Sequence, residues 1–293
     1  MSDIRDRVMA VYCTGAALVL VTGLFTIIGF LVIRGYGVLD ATLVFGDVPV
    51  VDALLLKRQV FNGLFPAITG TLALIILAMG LALPLGLASG IYLAEYAGRR
   101  TKWIFSLMVD ILAGIPSIVV GLFGFSITVF LHNVFPGRIF PCLMISGVAL
   151  AFLVLPYIIK TTQAALEAIP GATRLTALSL GASGLENLVY VLIPTCLSDI
   201  VAGVVLAIGR CAEDTAVIML TGVVATAGVP TSLFAGFQAL PFYIYYTASE
   251  YAGPSELNSA YGAALILLGI CTGLFVLAHW IRLRVGRRMG IPG

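Results

Sequence analysis

The sequence contains few charged residues. Lysine, arginine, aspartate and glutamate make up 10% of its 293 residues, whereas ordinary globular domains carry about 25%. A soluble protein this poor in charge would leave much apolar surface facing water, because 60% of its residues are apolar. The net charge of +2, without basic runs that interleave with aromatics, also excludes nucleic-acid binding. The composition therefore predicts an integral membrane protein.

Residues for metal binding or catalysis are also scarce. The two histidines lie far apart in sequence, and the five cysteines show no close pair and no metal-ligand spacing. The three lysines, Lys57, Lys102 and Lys160, lie outside any Gly-x4-Gly-Lys-Ser/Thr loop, so this chain has no phosphate-binding loop for a nucleotide. We therefore expect a chain that is not an enzyme by itself and binds no metal or cofactor.

Six long apolar segments are present instead. A helix that crosses the bilayer core needs about 20 residues, and each segment reaches that length. Their continuous apolar character is typical of helices and not of the alternating strands of a membrane barrel. The predicted fold class is all-α, a polytopic membrane protein with six transmembrane helices. The predicted spans are 8–33, 60–94, 104–131 with Pro116 in its middle, 139–159, 194–224 and 257–281.

Basic residues are distributed unequally between the two ends of these spans. The side of the N-terminus carries eleven, the opposite side carries four, and Arg210 lies within the fifth span. Because positive charge concentrates in the cytoplasm, both termini are predicted to be cytoplasmic, and the basic cluster after the last span is predicted to lie on anionic membrane lipid. The eleven are Arg5, Arg7, Arg99, Arg100, Lys102, Lys160, Arg174, Arg282, Arg284, Arg287 and Arg288; the four are Arg34, Lys57, Arg58 and Arg138.

The predicted cytoplasmic loop 160–193 has a pattern of its own. Small and apolar residues recur in it at helical spacing, interrupted at Pro170 and Gly171 and again at Gly181. The pattern predicts two short amphipathic helices joined by turns. An apolar helix face of this kind either docks into the groove of a partner protein or lies on lipid, and composition alone does not separate the two.

The same loop carries a motif. Nine residues separate Gly181 from Val191-Leu192-Ile193-Pro194, and Arg174-Leu175-Thr176-Ala177 precedes Gly181. These residues resemble the EAA loop of ABC-importer permeases, in which the first stretch reads Arg-Glu-Ala-Ala; Leu175 replaces the family's glutamate. The resemblance implies that this loop contains the coupling helix that docks into an ATPase subunit. The residues it assigns to coupling are Glu167, Pro170, Gly171, Arg174, Ala177, Gly181 and Pro194.

Four further stretches narrow the resemblance to PstA-type phosphate-importer permeases. They occur in the same order as in that family, at 63–72, 84–96, 112–124 and 209–216, and the last reads Gly-Arg-Cys-Ala-Glu-Asp-Thr-Ala. The resemblance implies a type I ABC importer permease (MetI-like) fold, with a first span and outer loop over 1–59 and a permease domain over 60–285. The implied partners are a second homologous permease chain, two ATP-binding subunits that hold ATP and Mg, and an extracytoplasmic phosphate-binding protein.

Arg210 is the residue whose position demands an explanation. A guanidinium in mid-membrane costs about 3 kcal/mol on insertion scales, so it should face a cavity or a partner. Its fork of donors suits bidentate contacts to a tetrahedral oxyanion. The resemblance places an arginine and an acid at 210 and 214, and we expect the substrate pathway to include Arg210, Asp214, Glu213 and, beside the Pro116 kink, Ser117. In the alternative interpretation, Arg210 and Asp214, one helical turn apart, only neutralise each other so that the helix can insert.

The resemblance implies a permease subunit of an ATP-driven phosphate importer in the plasma (inner) membrane of a bacterial-type cell. It would translocate phosphate inward by alternating access together with the second permease chain. Glu213 replaces the family's glycine, and two adjacent carboxylates would repel an anion if both were ionised. A permease for molybdate, tungstate or sulfate therefore stays an alternative. A non-pumping membrane scaffold or channel is another, in which loop 160–193 would have no ATPase partner.

Overall fold

The computed structural model describes residues 2–135 and 140–288, and they fold mainly into helices. The first half contains α1 (Ser2–Gly35), α2 (Ala41–Phe45), α3 (Val50–Leu54), α4 (Phe65–Ile91), α5 (Arg99–Ala113) and α6 (Ser117–Val134). The second half contains α7 (Leu143–Glu167), α8 (Gly171–Ser179), α9 (Gly184–Asn187), α10 (Ile193–Glu213), α11 (Ala216–Thr221), α12 (Leu240–Glu250) and α13 (Pro254–Arg288). Two π-helical segments, Tyr92–Tyr96 and Leu188–Leu192, follow α4 and precede α10.

Six helical stretches in the described residues are long and apolar enough to cross a membrane, which confirms the predicted fold class. Ile139, which starts the predicted fourth span, and Arg138, the basic residue before it, lie outside the described residues. The six stretches are Arg5–Val38, Phe65–Tyr96, Ser117–Val134, Leu143–Glu167, Gly184–Glu213 and Pro254–Ile281.

The third span differs from its prediction. The segment 104–131 is not one kinked helix, because α5 ends at Ala113 and α6 begins at Ser117. Pro116 has no N–H to donate to the preceding turn and its ring crowds that turn, so the helix breaks here instead of bending. The membrane-spanning stretch in this region therefore begins at Ser117 and not at Ile104.

Both α5 and α6 pack along α7. The Nζ of Lys102 lies 2.7 Å from Oε1 of Glu167, and the Nζ of Lys160 lies 2.8 Å from Oδ1 of Asp110. The residue of α5 that lies later in the sequence, Asp110, pairs with the residue of α7 that lies earlier, Lys160. These two helices are therefore antiparallel. Since α6 packs on the opening half of α7, α5 and α6 together follow α7 over most of its length.

The contact between α4 and α7 forms the centre of the bundle. A Cβ atom built on Gly86 would lie 2.6 Å from Cγ2 of Ile158, and one built on Gly90 would lie 2.7 Å from Cβ of Thr162. Small residues let two membrane helices approach this closely. Each of the six spans leads from one end of the bundle to the other. Helices α8 and α9 therefore lie at the end that also holds the N-terminus of α1, and α2, α3 and α12 lie at the opposite end.

Candidate functional site

Arg210 lies in the last turn of α10. Its Nη1 donates to Oε1 of Glu213 at 3.1 Å, and within residues 2–135 and 140–288 this is its one ion pair and one hydrogen bond. Its Nε is buried and has no hydrogen-bond partner in the same part of the chain. Among the described residues, the structure therefore pairs Arg210 with Glu213 and shows no ion pair between Arg210 and Asp214.

Asp214 ends α10 instead of continuing it. Its backbone is extended (φ −73°, ψ 117°), so the four-residue spacing no longer places it on the helical face of Arg210. Its Oδ1 accepts a hydrogen bond from the N–H of Val217 at 2.9 Å, and the residue is 5% exposed. This carboxylate satisfies one of the free N–H groups at the start of the next helix. The predicted span 194–224 is therefore two helices, α10 and α11.

Ser117 lies at the other helix break. It is the half-buried first residue of α6. A Cβ on Gly121 would lie 2.9 Å from the carbonyl oxygen of Ala216, and one on Gly124 would lie 2.7 Å from Cγ2 of Thr221. The later residue of α6 contacts the later residue of α11, so the two helices run parallel. Ser117, one turn before Gly121, is thus at the level where α10 ends and α11 begins.

Two interrupted helices consequently meet at one level of the bundle. The α5–α6 break lies beside the α10–α11 break, and Arg210, Glu213 and Asp214 supply the charges there. Broken backbone at membrane depth is tolerated where it is buried in protein or lines a water-filled cavity. The side chain of Glu213 is 62% exposed, and a carboxylate facing lipid is costly. This level therefore combines two helix breaks with a carboxylate that the described part of the chain leaves exposed.

The loop after α7 folds into the two predicted short helices. Pro170 caps α8, and Gly171 begins it. The carbonyl oxygen of Ala177 accepts two N–H groups of the following turn, both at 3.1 Å. Gly181 then has a φ of +89°, a left-handed conformation that favours glycine, and the chain turns into α9. Pro194 lies in the first turn of α10, directly after the π-helical segment Leu188–Leu192.

Two residues of the predicted coupling set contact the chain's own helices. The Nη1 of Arg174 donates to both carboxylate oxygens of Glu95, at 2.7 and 2.8 Å. Oε1 of Glu167 accepts from the Nζ of Lys102 and from Nε2 of Gln163, each at 2.7 Å. The motif did not identify Glu95, Lys102 or Gln163. The available signal for Glu95 was its position as a lone carboxylate at the end of the second apolar segment.

The outer face of α8 and α9 is apolar. The leucines that form it are exposed by between 42% and 86%, and α8 has no buried residue. Leu175, which replaces the family's glutamate, is one of them. The loop thus presents an apolar surface that the described part of the chain leaves uncovered, formed by Leu175, Leu178, Leu180 and Leu185.

A cavity of about 750 Å³ lies at the opposite end of the bundle. Its lining includes Tyr243, Tyr246 and Tyr251, and its charged residues, among those described, are Glu250 and Glu256. Burial raises the pKa of the Tyr243 phenol above its ordinary value, so this group stays neutral at physiological pH. The charged side chains that line this cavity in the described part of the chain are thus both acidic, whereas the level of the α10 break also carries Arg210.

Comparison with known proteins agrees with this geometry. Residues 82–289 match the family model described as "Binding-protein-dependent transport system inner membrane component". The chain belongs to this family and, within it, to the PstA-type phosphate permeases.

Curated relatives show this membership. The chain is 32% identical over 245 residues to phosphate transport system permease protein PstA 1 of Mycobacterium tuberculosis, covering 81% of this chain and 75% of the relative. It is 33% identical over 214 residues to PstA of Yersinia pestis, covering 72% and 68%. A PstC of Mesorhizobium japonicum is 29% identical over 251 residues, covering 78% and 76%.

Solved structures share the fold. A permease chain of the MetNI methionine ABC transporter, in an inward-facing conformation, aligns with a TM-score of 0.55 at 18% identity, covering 81% of this chain and 99% of that chain. A chain of a bacterial alginate ABC transporter in complex with its periplasmic protein aligns with a TM-score of 0.55 at 15% identity, covering 94% and 96%. The predicted MetI-like permease fold is thereby confirmed.

Proposed function

We propose that this chain is one of two permease subunits of an ATP-driven phosphate importer and that Arg210 contacts phosphate. The single observation that carries this proposal is the unsatisfied Nε of the Arg210 guanidinium at the junction of two broken helices. Nη1 is occupied by Glu213, whereas Nε is buried without an acceptor. A buried donor without a partner is costly, and an oxyanion bound along the Nε–Nη2 edge would satisfy it with two parallel hydrogen bonds.

The proposed mechanism is alternating access. The second permease chain would close the side of the pathway on which Glu213 is exposed, and rocking of the two chains would present Arg210 to each side of the membrane in turn. The similarity to both a PstA and a PstC supports pairing of two homologous chains. ATP and Mg would be held by two ATP-binding subunits, which the apolar outer face of α8 and α9 fits as a docking surface.

The extracytoplasmic phosphate-binding protein would dock at the opposite end of the bundle, over the cavity that contains Glu250 and Glu256. Both termini of the chain would then be cytoplasmic, as the distribution of basic residues predicts. The alginate transporter that shares the fold was solved with its periplasmic protein bound, which supports a docked binding protein for this permease class.

Uptake of radiolabelled phosphate by the reconstituted complex tests the role of Arg210. We expect Arg210→Gln to abolish uptake, and Arg210→Gln/Glu213→Gln to stay inactive, because the donors that replace the hydration of phosphate are lost in both. Arg210→Lys should restore uptake partly at best, since an ammonium lacks the fork. Arg34→Gln is the matched control, because Arg34 lies at the outer end of α1, over the ring of Phe30.

Two outcomes would contradict the proposal. Recovery of uptake in the double neutral variant would show that Arg210 and Glu213 only neutralise each other within the membrane. Tungstate, molybdate or sulfate competing better than unlabelled phosphate would assign the chain to another oxyanion. Membrane insertion of each variant is measured alongside uptake.

A further inference from the structure

One side chain of α8 anchors this helix to the membrane helices. None of the nine residues of α8 is buried. Arg174 nevertheless turns inward, where its Nη2 donates to the carbonyl oxygen of Leu166 and its Nε donates to that of Ile169 at 3.3 Å. Its Nη1 contacts both carboxylate oxygens of Glu95. All three nitrogens of this guanidinium are therefore bonded, in contrast to those of Arg210.

The Glu95–Arg174 pair is shielded from solvent. The side chain of Arg174 is 26% exposed and that of Glu95 is 16% exposed, so salt and water weaken the pair less than they would at an open surface. Nδ2 of Asn187, a buried residue of α9, donates to the carbonyl oxygen of Arg174 at 3.1 Å. The two short helices of the loop are thus joined at the residue that contacts Glu95.

Glu95 lies in the π-helical segment Tyr92–Tyr96 that ends α4. The N–H of Ala97 donates to the carbonyl oxygen of Tyr92, five residues earlier, at 2.9 Å. Such wide turns are rare within helices and often occur at functional sites. Here the wide turn contains the residue that bonds Arg174.

Glu95 connects the loop to the end of α4. A Cβ on either Gly86 or Gly90 of α4 would overlap side chains of α7, so these turns of α4 are in close contact with α7, and Glu95 lies beyond them. The loop reaches α7 and α10 differently, because residues 168–170 join α7 directly to α8, and the chain runs from α9 through Leu188–Leu192 into α10. A displacement of α8 consequently reaches α7 and α10 through the chain itself, and it reaches α4 through the Glu95–Arg174 pair.

We propose that the Glu95–Arg174 pair makes α4 follow the coupling loop during transport, with Glu95 as a positioning residue. This inference rests on the proposed function, because it requires an ATPase subunit that displaces α8. Glu95 and Arg174 are 79 positions apart in sequence, so no short covalent link joins α4 to the loop. Without the pair, ATP hydrolysis moves α7 and α10 while the end of α4 lags, and hydrolysis continues without productive transport.

The test compares Glu95→Gln with Asp110→Asn in the complete complex in proteoliposomes. Both changes replace a paired carboxylate by an amide at the same end of the bundle. Asp110 pairs with Lys160 at 2.8 Å and joins α5 to α7. Phosphate uptake and ATP hydrolysis are measured on the same vesicles. We expect Glu95→Gln to raise the ATP hydrolysed per phosphate moved about tenfold, Glu95→Asp to restore part of the coupling, and Asp110→Asn to keep the parental ratio.

Two results would overturn the inference. The first is an unchanged ratio in Glu95→Gln. The second is an equal fall of uptake and hydrolysis together with loss of the ATP-binding subunits from the purified complex, since that pattern shows a role in folding or assembly alone. A parental complex that takes up no phosphate would instead refute the proposed function, so the two failures are distinguishable.

Discussion

Gly181 shows how a single backbone conformation sets the geometry of the coupling loop. Its φ is +89°, and a Cβ built on it would meet nothing within 4 Å. Substitution is therefore opposed by backbone strain of about 1–2 kcal/mol and not by a clash. We expect Gly181→Ala to insert at the parental level but to lower phosphate uptake several-fold, because relief of the strain changes the angle between α8 and α9. Immunoblotting and uptake on the same membranes measure both.

Gly184→Ala is the control for that prediction. Gly184 also faces open space, but it begins α9 without a positive φ. Equal uptake by the two variants would show that the turn at Gly181 does not set the docking geometry. The bulkier Gly181→Trp should lose uptake and ATPase binding while it still inserts.

The pairing of Arg210 shows where residue spacing stops being predictive. The sequence correctly predicts a costly arginine in the fifth span, because a charged residue within an apolar segment is visible from hydropathy alone. Whether Arg210 pairs with Glu213 or with Asp214 depends on the residue at which the helix ends. That end is set by the hydrogen bond from the N–H of Val217 to Asp214, a local competition between side chain and helix backbone that the apolar pattern does not report.

Helix α4 offers a matched pair of glycines for testing its contact with α7. A Cβ on Gly90 would lie 2.7 Å from Cβ of Thr162 and 2.8 Å from the carbonyl oxygen of Ile159, whereas one on Gly80 would meet nothing within 4 Å. We expect Gly90→Ala to destabilise the protein by about 1–3 kcal/mol, since the helices must separate, and to lower its thermal unfolding midpoint. Gly80→Ala should match or slightly exceed the parental stability. Equal midpoints for the two variants would contradict the tight contact.

At the level of elements, local signals were predictive and distant ones were not. Long apolar segments predicted six spans, and Gly181 with Pro170 predicted the breaks of the coupling loop. The break at Pro116 was underestimated as a kink, because the sequence does not show whether neighbouring helices hold the two halves in line. The contact of Glu95 with Arg174 was out of reach, because it joins residues 79 positions apart through the packing of whole helices.

The orientation of the whole molecule can be read with introduced cysteines. Asp47 and Gly184 are both exposed, but they lie at opposite ends of the bundle. We expect an impermeant maleimide to label Asp47→Cys in intact cells and to label Gly184→Cys only after permeabilisation, because basic residues concentrate at the end that holds Gly184. The parental chain, with its five cysteines, measures the background. Labelling of Gly184→Cys in sealed cells would reverse the topology.

Helix α1 stands largely apart from its own chain. None of the most apolar part of Arg5–Val38 is buried, and described contacts with α13 lie near its outer end, where Phe30 meets Tyr261 and Gly35 meets Leu265. A span attached mainly at one end acquires its tilt from neighbours and from bilayer thickness. The angle of α1 is therefore a property of its surroundings, and it would change with lipid composition and with each protein that comes to lie beside it.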